Sequence, residues 1–157
     1  MGNDDNALNG RGMENGHDMA RRLMVLGAVL VMLGLLTGFV SGSLANPRMG
    51  LVAHLEGLMN GTLMLALGAG WSRVHLSGRE EGAAFVLLVF GTVSNWLATL
   101  LAAVWGVGGQ TMPLSAAGRT GAAWQEALVS VLLVTLSFAM VASFALVLKG
   151  LLARRGT

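Results

Sequence analysis

Four long apolar runs, at about 23–44, 51–71, 83–107 and 124–148, limit what this chain can fold into. Each approaches the roughly 20 residues that an α-helix needs to cross the hydrocarbon core of a bilayer. Hydrocarbon offers backbone groups no partner, so a spanning segment must satisfy its own hydrogen bonds, and a helix does. Only 11% of the 157 residues are charged, against about a quarter in a soluble domain. The expected fold is therefore all-α: an integral membrane four-helix bundle with the lipid bilayer as its surroundings.

The bundle should occupy residues 21–150 as one domain. Residues 1–20, rich in Asn, Gly and Asp and without periodicity, read as a disordered tail, and 151–157 as a short basic one. Basic residues set the expected orientation. Arg11, Arg21, Arg22, Arg73, Arg79, Lys149, Arg154 and Arg155 fall on one side of such a bundle, and only Arg48 and Arg119 on the other. The positive-inside rule then places both termini in the cytoplasm. The first run also has signal-peptide features: Arg21 and Arg22 precede it, and "SLA" at 43–45 resembles a cleavage site. It is longer than the roughly 7–15 apolar residues of a signal peptide, so a spanning helix is expected. Net charge is only +2, which gives no reason to expect a nucleic-acid partner. The chain has no cysteine, which excludes disulfides, iron–sulfur ligation, thiol nucleophiles and covalent c-type haem attachment.

The stretch "ANPRMGLVAHLEGLMNG", residues 45–61, carries polar groups into the second apolar run. His54 is the one histidine within a membrane segment, since His17 falls in the tail and His75 in a loop. Ionisable residues at membrane depth are functional candidates, and imidazole is a common metal ligand. A helix-end histidine bonded to Glu56 or Arg48 is an equal alternative. Gly57 and Gly61 share its helical face and leave room there for something flat. They also form a four-residue ladder, as do Gly34, Gly38 and Gly42 in the first run, and such ladders bring membrane helices together. Asn60 lies about 120° round the helix from His54. Thr92, Asn95 and Thr99 form a second polar face, with interhelical hydrogen bonding as the plainer account. Arg48, Glu56 and Glu126 are expected near the interface. There Arg48 and Glu56 can pair or meet water, and Glu126 suits a helix N-terminus.

"LANPRMGLVAHLEGLMNG", residues 44–61, resembles the signature of hydroxylaminobenzene mutases, small four-helix bacterial membrane proteins. The resemblance implies isomerisation of hydroxylaminobenzene to 2-aminophenol in nitroarene degradation. The chain is more distantly similar to styrene oxide isomerase, a trimeric four-helix enzyme that binds haem b. That family's histidine ligand is followed six residues later by Asn-Gly, a pattern that falls here on His54, Asn60 and Gly61. A second asparagine lands on Asn95. The family's tyrosine four residues further corresponds to Thr99, and this chain has no tyrosine. The resemblance thus implies haem b held by His54 beside Gly57 and Gly61, catalytic roles for Asn60, Asn95 and Thr99, a homotrimer, and an aromatic hydroxylamine as substrate.

Other functions meet obstacles in the residues. A b-type electron-transfer cytochrome usually needs two histidines per haem, and one lies in the membrane region. A proton-coupled exporter of this size carries a carboxylate in its first helix, which is absent between 23 and 44. A purely structural membrane protein leaves Asn60 and Asn95 unexplained. An epoxide isomerase of the styrene oxide type is the remaining alternative.

Overall fold

The computed structural model describes residues 2–153, with side chains from Gly16 onward. Helix α1 (Gly2–Val40) is followed by a 3₁₀ turn, then by α2 (Pro47–Gly70), α3 (Gly78–Trp105), the one-turn α4 (Pro113–Ala116) and α5 (Ala123–Leu152). Four helices are long and apolar enough to span a membrane, and no strand occurs among the described residues. Of the tail expected over 1–20, the side chains of residues 1–15 lie outside the described ones, as do residues 154–157 of the basic tail.

Capping chemistry sets the helix starts, several residues before the apolar runs begin. Asn46 caps α2: its side chain accepts the Met49 N–H at 3.2 Å, and Pro47 takes the first helical position. Arg48, expected near the interface in the first loop, therefore sits in the first turn of α2. Glu80 reaches back to the Ser77 N–H at 3.2 Å at the start of α3, half of a capping box. That helix ends at Gly106, whose φ of 70° is left-handed.

Small residues then decide which helices meet. α2 packs along α1 and against α3, and α3 packs against α5. At the α1–α2 contact the backbones nearly touch. A Cβ on Gly57 would lie 2.5 Å from the Gly34 Cα, and one on Gly61 would lie 2.7 Å from the Gly27 carbonyl oxygen. The α1 ladder is thus Gly27, Gly34 and Gly38, whereas Gly42 has open space beside it. The α3–α5 contact closes similarly, with Gly91 against Met140 and the Ser143 hydroxyl donating to the Ala84 carbonyl at 2.9 Å.

Two apolar clusters result. One, at the end where α1 enters and α5 leaves, contains Leu23, Leu30, Met64, Trp71, Leu88 and Val147. The other, at the opposite end, contains Met49, Ala102, Ala103, Val107, Ala116 and Val129. On α2 the polar residues at 54, 56 and 60 lie between Met49 and Met64, and so between the clusters.

Candidate active site

The polar layer divides round α2 by helical geometry. Successive residues advance 100°, so Glu56 and Asn60 lie roughly 200° and 240° from His54. His54 turns towards α1. Its Nδ1 lies 2.8 Å from the Gly34 carbonyl oxygen, and its ring lies over Gly38, where a Cβ would come within 2.6 Å of Nδ1. A carbonyl only accepts, so in this contact Nδ1 carries the proton and Nε2 keeps its lone pair. The ring is half-buried in the groove between α1 and α2.

Glu56 and Asn60 turn the other way, towards α3. The Asn60 amide donates to Glu56 Oε2 at 3.0 Å, and the Asn95 amide of α3 donates to the same oxygen at 2.6 Å. Asn60 is buried, while Glu56 and Asn95 are half-buried at the edge of the helix pair. Of the two expectations for Arg48 and Glu56, pairing or meeting water, the pair does not form. Arg48 is exposed, and the ion pair among the described residues joins Lys149 to Glu80. Glu56 is the acceptor that joins the two asparagines. Two signals mark it: a carboxyl group inside an apolar run, and a hydrogen-bonding residue four positions later on the same face.

Three sequence-based assignments change. Gly57 and Gly61 do not clear space for a cofactor beside His54, because α1 fills that space at backbone contact. Thr99 is buried, and its hydroxyl donates back to the Asn95 and Trp96 carbonyls of its own helix at 3.0 and 2.9 Å. Its one proton is committed there, which leaves no donor for a substrate. Thr92 behaves the same way, bonding to the Leu88 carbonyl at 2.8 Å. Of the α3 polar face, Asn95 alone joins the cluster. Trp96 instead crosses to α1, where its indole N–H donates to Thr37 at 3.3 Å.

The far end of the bundle is closed by a buried carboxyl group. Glu126, in the first turn of α5, accepts N–H bonds from Gly108 at 3.1 Å, Gly121 at 3.3 Å and Gly109 at 3.4 Å. Asn46 donates to the Ser115 and Ala116 carbonyls, and Arg119 donates to the Ala45 carbonyl. These bonds fold the 106–122 connection onto the start of α2, so Glu126 organises a loop.

A family model for styrene oxide isomerase matches residues 19–152. That range holds three of the four spanning helices whole, most of the first, and the Glu56–Asn60–Asn95 cluster. The chain belongs to the styrene oxide isomerase family. Within that similarity, it is 51% identical to hydroxylaminobenzene mutase HabB of Ectopseudomonas oleovorans, over 88% of this chain and 87% of that one. It is 39% identical to hydroxylaminobenzene mutase HabA of the same organism, over 85% of this chain and 99% of that one. No solved structure matches it. Family membership and these relatives make the chain an enzyme of the isomerase/mutase class, in a multi-pass membrane fold.

Proposed function

We propose that this enzyme is a hydroxylaminobenzene mutase, which converts N-aryl hydroxylamines to 2-aminophenols by moving a hydroxyl group within one molecule. The observation that carries this reading is the 51% identity to a mutase of that name across nearly the whole chain. In such a reaction the N–O bond breaks and a C–O bond forms at the ortho carbon. The ortho proton leaves to restore the aromatic ring, and the nitrogen gains a proton, so substrate and product are isomers.

The proposed cofactor is haem b, with His54 as its one protein ligand. The anchored Nδ1 and the available Nε2 support this assignment, because a ligating histidine commonly fixes its other nitrogen on a carbonyl. A single imidazole would suffice to hold a group that carries nitrogen donors of its own. Among the described residues, no cluster of three or more His, Cys, Asp or Glu side chains offers an alternative metal cage. Bound haem iron would supply Lewis-acid polarisation of the N–O bond. Asn60 and Asn95 would orient the hydroxylamine and stabilise charge developing on nitrogen and oxygen. The apolar clusters on either side keep water away and admit an arene from the bilayer.

His54 and Asn60 leave α2 on different sides, so one chain does not offer both to one molecule. A cyclic homotrimer resolves this by setting the His54 edge of one chain against the Glu56–Asn95 edge of the next. The exposed Leu51, Leu55 and Met59 lie between those edges and would line the joint. Eight of the ten basic residues on the side of the termini support placement in the inner membrane with those termini cytoplasmic.

The family's description favours a second substrate class, epoxides. Detergent-purified protein offered hydroxylaminobenzene and styrene oxide separately decides between them. Formation of 2-aminophenol with a Soret band supports the proposal. Formation of phenylacetaldehyde alone would replace it with epoxide isomerisation.

A further inference from the structure

Glu56 accepts two amide N–H groups from two different helices on one oxygen atom, at 3.0 and 2.6 Å. This geometry constrains more than helix packing. An asparagine amide has a donor end and an acceptor end of nearly the same shape, and without a fixed partner either can face a ligand. A carboxyl oxygen with lone pairs directed at both asparagines accepts only from Nδ2. Each amide therefore turns its Nδ2 to Glu56 and its Oδ1 away. Among the described residues, neither Oδ1 accepts a hydrogen bond within the chain. The cluster also lies at an edge of the helix pair, beside the exposed Met59.

We infer that Glu56 is a positioning residue that locks the Asn60 and Asn95 amides with their carbonyl oxygens towards the substrate. The inference rests on the mutase reading, and it specifies what that site recognises. Two presented carbonyls, each with a remaining N–H beside it, match a substrate whose polar head donates through both N–H and O–H. A hydroxylamine has that pattern, whereas an epoxide oxygen only accepts. A simple helix-bridging role would work with either amide orientation, whereas positioning requires one.

The test compares Glu56→Ala with Glu56→Gln. Glutamine keeps the chain length and a carbonyl oxygen that accepts both amides, whereas alanine removes the acceptor. Glu56→Ala should lower kcat for hydroxylaminobenzene on the order of 10²-fold, with a smaller change in KM. Glu56→Gln should recover most of that loss. A second readout needs no turnover. In protein labelled with ¹⁵N-asparagine, the side-chain NH₂ signals of residues 60 and 95, assigned with Asn60→Asp and Asn95→Asp, should be shifted and protected from exchange. Both should persist in Glu56→Gln and collapse towards exposed values in Glu56→Ala. Unchanged signals in Glu56→Ala overturn the inference, as does a Glu56→Gln protein that keeps the signals but is as inactive as Glu56→Ala. Should Glu56→Ala fail to fold, Glu56→Gln against wild type decides alone: retained signals and turnover support positioning, and loss of either overturns it. If the wild type does not convert hydroxylaminobenzene, the substrate reading fails, and the amide signals still decide whether Glu56 positions the asparagines.

Discussion

His54 is held by a backbone carbonyl on one nitrogen and lies over a glycine that admits its ring. That posture suits the proposed role of haem ligand. His54→Ala is expected to abolish both the Soret absorbance and turnover, while His17→Ala and His75→Ala keep both. Full haem occupancy in the His54→Ala protein would remove the ligand assignment. The proposed role of the asparagines is in turnover and not in haem binding. Asn60→Ala and Asn95→Ala should each retain haem and lose on the order of 10²-fold in kcat, equivalent to about 3 kcal/mol of transition-state stabilisation. Wild-type turnover in both would reduce them to links between helices.

At the level of elements, the helices were legible because each apolar run matches a bilayer crossing. Their ends were less so. Asn46 followed by Pro47 is a helix start written in polar residues, so a reading that followed hydropathy began α2 four residues late. The site divided the same way. His54, Asn60 and Asn95 stand out as polar groups in apolar surroundings, and Glu56 carries the same mark, but its bond to Asn95 joins residues 39 apart, which local spacing does not show. Thr99 and the glycines misled because spacing shows a shared face and does not show what already occupies it. The α1–α2 glycines give a test at this scale. Gly34→Leu should separate the two helices and lower detergent stability by 1–3 kcal/mol or more, about the cost of overpacking a core. Gly42→Leu, with open space beside it, should change little. Thermal unfolding of both variants measures the difference. The far loop makes a parallel prediction: Glu126→Ala removes the acceptor shared by three backbone N–H groups and should cost about 3 kcal/mol of stability. An unchanged melting temperature would mean that the 106–122 connection holds itself in place.

Over the whole molecule, α5 packs against α3 and, among the described residues, makes no comparable contact with α1, so the bundle is an open series of helices. An open series leaves edges for copies of itself, and the proposed site needs two such edges at once. Co-expression of His54→Ala chains with Asn60→Ala chains should restore part of the activity in purified mixed oligomers, because some joints regain both residues. No recovery in verified mixtures would place a complete site in each chain. The central claim, that a hydroxyl group moves within one substrate molecule, has a more direct measurement. Hydroxylaminobenzene labelled with ¹⁸O in its hydroxyl group is incubated with the purified protein in unlabelled water, and the 2-aminophenol is analysed by mass spectrometry. The account predicts 2-aminophenol that depends on the protein and retains the label in full. Product carrying oxygen from water, or no 2-aminophenol from haem-loaded protein, would contradict it.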